Sequence, residues 1–228
     1  MTTPHSTPHP TPEAPHVAVR GEARLDVDPE IARIAITVSA RGTDRAATLT
    51  DLTRRNAHTL DLVKSYGEAV EKLETGAFSI TPEPSKHGRG ERIRAYQGRV
   101  HLTVELSDFT TLGELTTRLA DSDLTRVDGP WWALRPDSPA YAEARHTAVT
   151  EAVQRARAYA TALGTTLTAL LELSDTDLPA PPALMGGTMR MAFAAETTDA
   201  PPPLDLEPQR QTVTAEVMAR FTMAPPQL

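Results

Sequence analysis

From Ala144 to Ala160, alanine recurs at every fourth position: Ala144, Ala148, Ala152, Ala156 and Ala160. Residues four apart share one face of an α-helix, so the spacing predicts a long helix carrying a ridge of methyl groups. Ser138 is the expected N-cap with Pro139 at the first helical position, and Gly164 supplies a left-handed stop after Leu163. Glu143 and Glu151 lie early and Arg155 and Arg157 late, which suits the helix dipole, and Glu151 with Arg155 forms an i,i+4 pair. Small side chains let such a helix approach a neighbour at the short end of the roughly 8–10 Å range. The ridge therefore reads as packing, with Ala152 and Ala156 at its centre.

Around that helix the pattern changes to a period of two. Val17, Val19, Gly21, Ala23, Leu25 and Val27 alternate with polar residues, Asp28-Pro29-Glu30 reads as a turn, and Ile34, Ile36 and Val38 alternate again. Two antiparallel strands in a hairpin are expected there. Thr43 is a candidate cap for a helix with Ala46, Leu49, Thr53, Asn56, Leu60 and Val63 on one stripe, stopped by Gly67. Asn56 on that stripe is expected to be a buried amide bonded to backbone. Further strands are expected over 73–80, over 93–106 with Tyr96 on the inward face, over 124–134, near 167–174 and over 212–221; Asp108 caps a short helix bearing Leu112, Leu115 and Leu119. Trp131 and Trp132 are adjacent in a strand, so they point to opposite faces, and one of them is an exposed aromatic of the kind enriched at interfaces.

Residues 1–16, rich in Pro, Thr and His, are read as a disordered tail, 17–222 as one ordered domain with a long Pro/Met-rich loop at 176–208, and 223–228 as a flexible end. The 23 Lys+Arg are spread among 30 Asp+Glu for a net charge of −7, so no basic stripe for nucleic acid is visible. No stretch approaches the roughly 20 apolar residues of a membrane span. The opening residues lack a basic region followed by an apolar core, and the location this implies is cytoplasmic.

The search for chemistry yields no catalytic, cofactor-binding or metal-ligating set. With no cysteine there is neither a thiolate nucleophile nor a Cys-based zinc site, and no nucleophile elbow, phosphate loop or His-Glu-x-x-His helix occurs. His5 and His9 read as solvated tail residues, and His58, His87, His101 and His146 as unrelated surface residues. Met185, Met189, Met191 and Phe193 form an apolar cluster that reads as an anchor for the loop, as a subunit contact or as an oxidisable Met patch relevant to stress.

The opening VAVRGEARLDVDPEIARIAITV, LETGAFSITP, the strand with Tyr96, AVTEAVQRARAYATALG and the closing TVTAEVMARF, in that order, resemble the SIMPL-domain family, a domain of unknown function. The most specific matches are Gly21 with Asp28-Pro29-Glu30, Thr75 with Ser79-Ile80 and Pro82, and Ala152, Arg155, Ala156, Tyr159, Ala160, Leu163 and Gly164. The resemblance implies an α+β fold: a mainly antiparallel sheet of about seven strands, two shorter helices and the long Ala-rich one. Gly21, Pro29, Tyr96, Ala152, Ala156 and Gly164 are its structural positions. It also implies bacterial relatives of the cell envelope that are tied to stress tolerance and self-assembly, and a mammalian branch tied to kinase signalling.

The reading favoured by residues and resemblance together is a non-enzymatic, cofactor-free, stress-related protein that assembles with itself, as a homo-oligomer, or with partner proteins through sheet edges, Trp131 or Trp132 and the Met-rich loop. The alternatives are a small-molecule binder or hydrolase with a cleft between sheet and helices, and a signalling adaptor docking through its Pro-rich tail.

Overall fold

A computed structural model describes residues 9–85, 93–175, 202 and 204–227. The elements are β1 (His16–Val27), β2 (Ile31–Gly42), α1 (Arg45–Lys64), β3 (Val70–Pro84), β4 (Ile93–Leu106), α2 (Phe109–Ala120), β5 (Thr125–Ala133), α3 (Pro139–Ala162), β6 (Leu167–Asp175) and β7 (Gln211–Met223), with a 3-10 turn, Gly67–Ala69, before β3. This is the α+β class with seven strands in antiparallel sheets. Two compact units share the elements, one built on Asp28–Arg135 with a returning segment before β7, the other on β1, α3, β6 and β7.

The smaller unit has the strand order β1-β7-β6. Contacts between β1 and β7 run in opposed order, from Thr212 on Asp26 through Glu216 on Arg20 to Met223 on Pro15. One face of β7 buries Val213, Ala215, Val217, Ala219, Phe221 and Met223, the alternation of a one-sided strand. In α3, Ser138 accepts a hydrogen bond from the Ala140 N–H, and the buried residues are Ala140, Ala144, Ala148, Ala152, Ala156 and Ala160. Past the end of α3, Gly164 takes a φ of 65°.

The ridge meets β1 at Gly21. A Cβ there would lie 2.1 Å from the Ala148 carbonyl oxygen and 2.7 Å from the Ala152 Cβ. Glu151, one residue back on the helix, accepts the Glu22 N–H at 3.1 Å and also holds Arg155. Helix and strand are thus locked backbone to backbone, over β1 rather than over the middle of the sheet.

The larger unit has the order β3-β4-β2-β5, with β2 between two antiparallel partners: Ile36 faces Leu102 on one side and Val127 on the other. Its core joins Ile34, Ile36 and Val38 of β2 and Leu102, Val104 and Leu106 of β4 to Leu52 and Val63 of α1 and Leu112, Leu115 and Leu119 of α2. Tyr96, half-buried, pairs with Gly42 of β2 and Pro82 of β3.

The expected hairpin of β1 and β2 is not formed: the two strands belong to different sheets. Both edges of β2 are taken by β4 and β5, and β1 pairs with β7 instead. The stretch holding Pro29 is tied to the end of β5, where the Glu30 N–H donates to the Ala133 carbonyl and the Arg135 N–H to the Glu30 carboxylate. In α1 the cap is Asp44 rather than Thr43, accepting the Ala47 N–H at 2.7 Å. The buried stripe is Thr48, Leu52, Thr59 and Val63, while Leu49 is exposed. Thr48 tolerates burial because its hydroxyl donates to the Asp44 carbonyl, which an apolar pattern cannot register. Among the described residues the buried Asn56 Oδ1 has no hydrogen-bond partner, contrary to the expected bond to backbone.

Three of the four outer strands carry register shifts, between Thr75 and Phe78 in β3, opposite Arg33 and Ala35 in β5, and between Leu170 and Glu172 in β6. Such irregularities disrupt the ladder and discourage pairing with further strands. The returning segment lies against α2: the Leu204 N–H donates to the Thr117 hydroxyl at 3.0 Å, and Leu206 packs on the core. Gly113 makes room for it, since a Cβ there would lie 2.3 Å from the Leu204 carbonyl oxygen.

Gly21→Ala is expected to lower stability by at least about 1–3 kcal/mol, as overpacking does. Gly76→Ala, whose Cβ would meet the His101 carbonyl oxygen at an ordinary 3.6 Å, is expected to be close to neutral; parallel thermal melts followed by circular dichroism compare the two. Gly113→Ala should free the Leu204 amide for rapid hydrogen exchange while leaving the β2 and β4 core amides protected.

Candidate functional site

Alternation along β2, β4 and β5 turns one face of the larger unit's sheet to α1 and α2, and leaves the other without a helix of that unit. On this open face Arg33 stands in register between Glu105 of β4 and Trp131 of β5, and Thr37 between His101 and Arg126. The Arg33 guanidinium donates to Glu105 at 2.8 Å, Arg41 to Glu83 at 2.6 Å, and Arg126 to Asp128 at 2.6 Å. The pairing of Arg41 holds the Glu83 carboxyl below its usual range, chiefly through the hydrogen bond itself.

Trp131 and Trp132 take opposite sides. Trp132 packs edge-on against Phe109 at the margin of the core, ring centroids 4.7 Å apart. Trp131 is 42% exposed and lies beside Gly129, which with Pro130 fills the irregularity in β5. An exposed Trp beside a paired arginine, Arg33, has the composition of a protein contact surface. The candidate contact residues Met185, Met189, Met191 and Phe193 lie outside the described residues.

The Thr37 hydroxyl and His101 Nδ1 are 3.0 Å apart on the same face. Nucleophilic use of that hydroxyl would need the imidazole oriented by a third group, and among the described residues no hydrogen bond reaches its other nitrogen. Among the described residues no group of three or more metal-ligating side chains converges, and no helix is long and apolar enough to cross a membrane. A shallow hollow of about 380 Å³ beside the returning segment is bordered by Phe109, Thr110, Asp205 and Glu207. Away from the open face, Arg135 holds the Glu71 carboxyl low by hydrogen bonding, and burial raises the Tyr66 phenol beside Glu114 and Arg118.

The alternation of β4 indicates which of its residues face outward. It does not indicate that Arg33 would gather Glu105 and Trp131, since that depends on the order of three strands separated in sequence.

Asp108 caps α2, accepting the N–H groups of Thr110 and Thr111 and the Thr111 hydroxyl, and these bonds hold its carboxyl below the usual range. A depressed carboxyl stabilises the fold above its unfolded pKa of about 3.9 and loses that contribution as pH falls through the folded value. Asp108→Ala should cost about 0.5–2 kcal/mol at neutral pH, the usual worth of a cap. Urea titrations at decreasing pH should show the gap to wild type closing below about pH 4.

Residues 17–221 match the SIMPL family, described as a protein of unknown function (DUF541). The 26 kDa periplasmic immunogenic protein of Brucella melitensis is 24% identical over 200 residues, covering 84% of this chain and 79% of that one. The protein of the same name from Brucella abortus gives the same figures: 24% identity, 84% and 79%. Uncharacterized protein YggE of Edwardsiella ictaluri is 24% identical over 157 residues, covering 68% of this chain and 66% of its own length. The expectation of a cytoplasmic location, drawn from the opening residues, is overturned by relatives that are named as periplasmic proteins. Matched across nearly all of its described strands and helices, the chain belongs to the SIMPL family.

Proposed function

We propose that this SIMPL protein works in the periplasm through protein contact, associating with copies of itself, and not by turning over a substrate. The periplasmic setting follows the names of the Brucella relatives. The observation that carries the reading is Trp131, 42% exposed beside the Arg33–Glu105 pair on a sheet face that α1 and α2 do not cover. Trp and Arg dominate contact energetics because they bury large areas while keeping a polar handle. In this proposal the face carries the contact rather than the edges of that sheet, since its outer strands β3 and β5 are irregular.

Light scattering across a dilution series should find a multimer that dissociates on dilution. Trp131→Ala should raise the dissociation constant about 30-fold, the equivalent of a ~2 kcal/mol anchor. A monomer at every concentration would overturn the proposal.

A further inference from the structure

The lock between Gly21 and the alanine ridge has a second effect within the smaller unit. A helix is about 10–12 Å across, and β6 lies two strand spacings from β1, about 10 Å away. With α3 held over β1, the inner face of β6 emerges beside the helix flank. Leu170 and Leu173, opposite Phe221 and Ala219 on that face, are 53% and 47% exposed. Between helix and strand runs a trough of about 430 Å³, lined by Val153, Arg157 and Thr161 of α3, Leu167 and Leu170 of β6 and Phe221 of β7.

Its polar lining is Arg157, Thr161, Thr165, Thr166 and Thr168. Arg155 is held by Glu151, whereas Arg157, one turn before Thr161, has no hydrogen bond or ion pair among the described residues. From Leu167 the apolar row continues past Leu170 to Leu173, which stand opposite Met223, Phe221 and Ala219, a run of about 13 Å at roughly 3.3 Å per residue of β7.

We propose that this trough binds a free fatty acid, with the carboxylate on Arg157 and Thr161 and the alkyl chain along Leu167, Leu170 and Leu173 over Phe221. A guanidinium takes a carboxylate through two parallel hydrogen bonds, and the Thr161 hydroxyl is a further donor. The trough is concave and within the roughly 300–1,000 Å³ of small-molecule sites, and Arg157, the cation in its lining, matches one carboxylate. An anionic bilayer fits less well: it would meet a chain of net charge −7.

The test is isothermal titration of the full chain with octanoate, decanoate and dodecanoate, each below its micelle concentration. Affinity should rise by up to about fourfold for each added methylene, from the transfer value of a buried CH₂ group. Dodecanol should bind about tenfold or more weakly than dodecanoate, the worth of a hydrogen-bonded charge, and Arg157→Gln should abolish that difference. Leu170→Ser should weaken the whole series. Both variants alter exposed side chains, and their circular dichroism should match wild type. Affinity independent of chain length, dodecanoate binding unchanged in Arg157→Gln, or binding to anionic vesicles without binding to monomeric decanoate would each overturn the proposal. So would a change of solution mass in Leu170→Ser with its dodecanoate affinity intact, which would make the trough a contact between copies; none of these outcomes bears on the role of Trp131.

Discussion

The closest constraint among the described residues is the meeting of Gly21 with Ala148 and Ala152, where a single added carbon would stand 2.1 Å from a carbonyl oxygen. A helix that lets a strand approach so closely has given up side-chain volume along its whole contact face, which is why the buried row of α3 is alanine from Ala140 to Ala160. Each alanine contributes little burial area by itself. Close backbone approach, dense dispersion contact and the Glu151 bond to the β1 backbone stand in for large side chains. The position of α3 then decides which part of the sheet is covered, so the exposed leucines of β6 and the alanines of the helix have one cause.

The larger unit is built on the opposite plan. Its two helices carry Leu52, Val63, Leu112, Leu115 and Leu119 into a layer of Ile, Val and Leu from β2 and β4. Helices and sheet are kept apart by these side chains, and glycine admits a neighbour at isolated points, under Leu52 at Gly98 and under Leu204 at Gly113. Because α1 and α2 occupy one side, the other is left to paired charges and Trp131. The volume of the side chains at the layer contact thus separates a unit with a thick apolar core from one with a thin one.

Elements set by local periodicity were legible in the sequence. The seven strands and the opposition of Trp131 to Trp132 follow from alternation, while the antiparallel α+β class is what the family resemblance implies. Partners were not legible, because alternation tells which face of a strand is apolar and nothing about which edge is taken. Hence β1 and β2, adjacent in sequence and both well patterned, were read as a hairpin although each pairs elsewhere. The stripe of α1 was misplaced because Thr48 is buried through a bond to its own helix, so a residue counted as polar behaves as apolar. Neither the trough nor the Arg33 cluster has a local signature; each needs residues brought together by strand order and by the helix-to-strand distance.

The order of strands also governs how the chain reaches this state. β2 through β5 lie within one continuous stretch of sequence, so the sheet they form can assemble from neighbours once Ala133 has been made. The other sheet joins β1, at the start of the chain, to β7, which ends at Met223. Its loop closure spans almost the whole sequence, the kind of contact that forms slowly. During synthesis β1 must wait without its ladder partner until the last strand emerges, although α3, made earlier, can already cover Gly21. Truncation near the C-terminus would therefore strip the first strand of its partner, so damage at one end of the polypeptide is felt at the other.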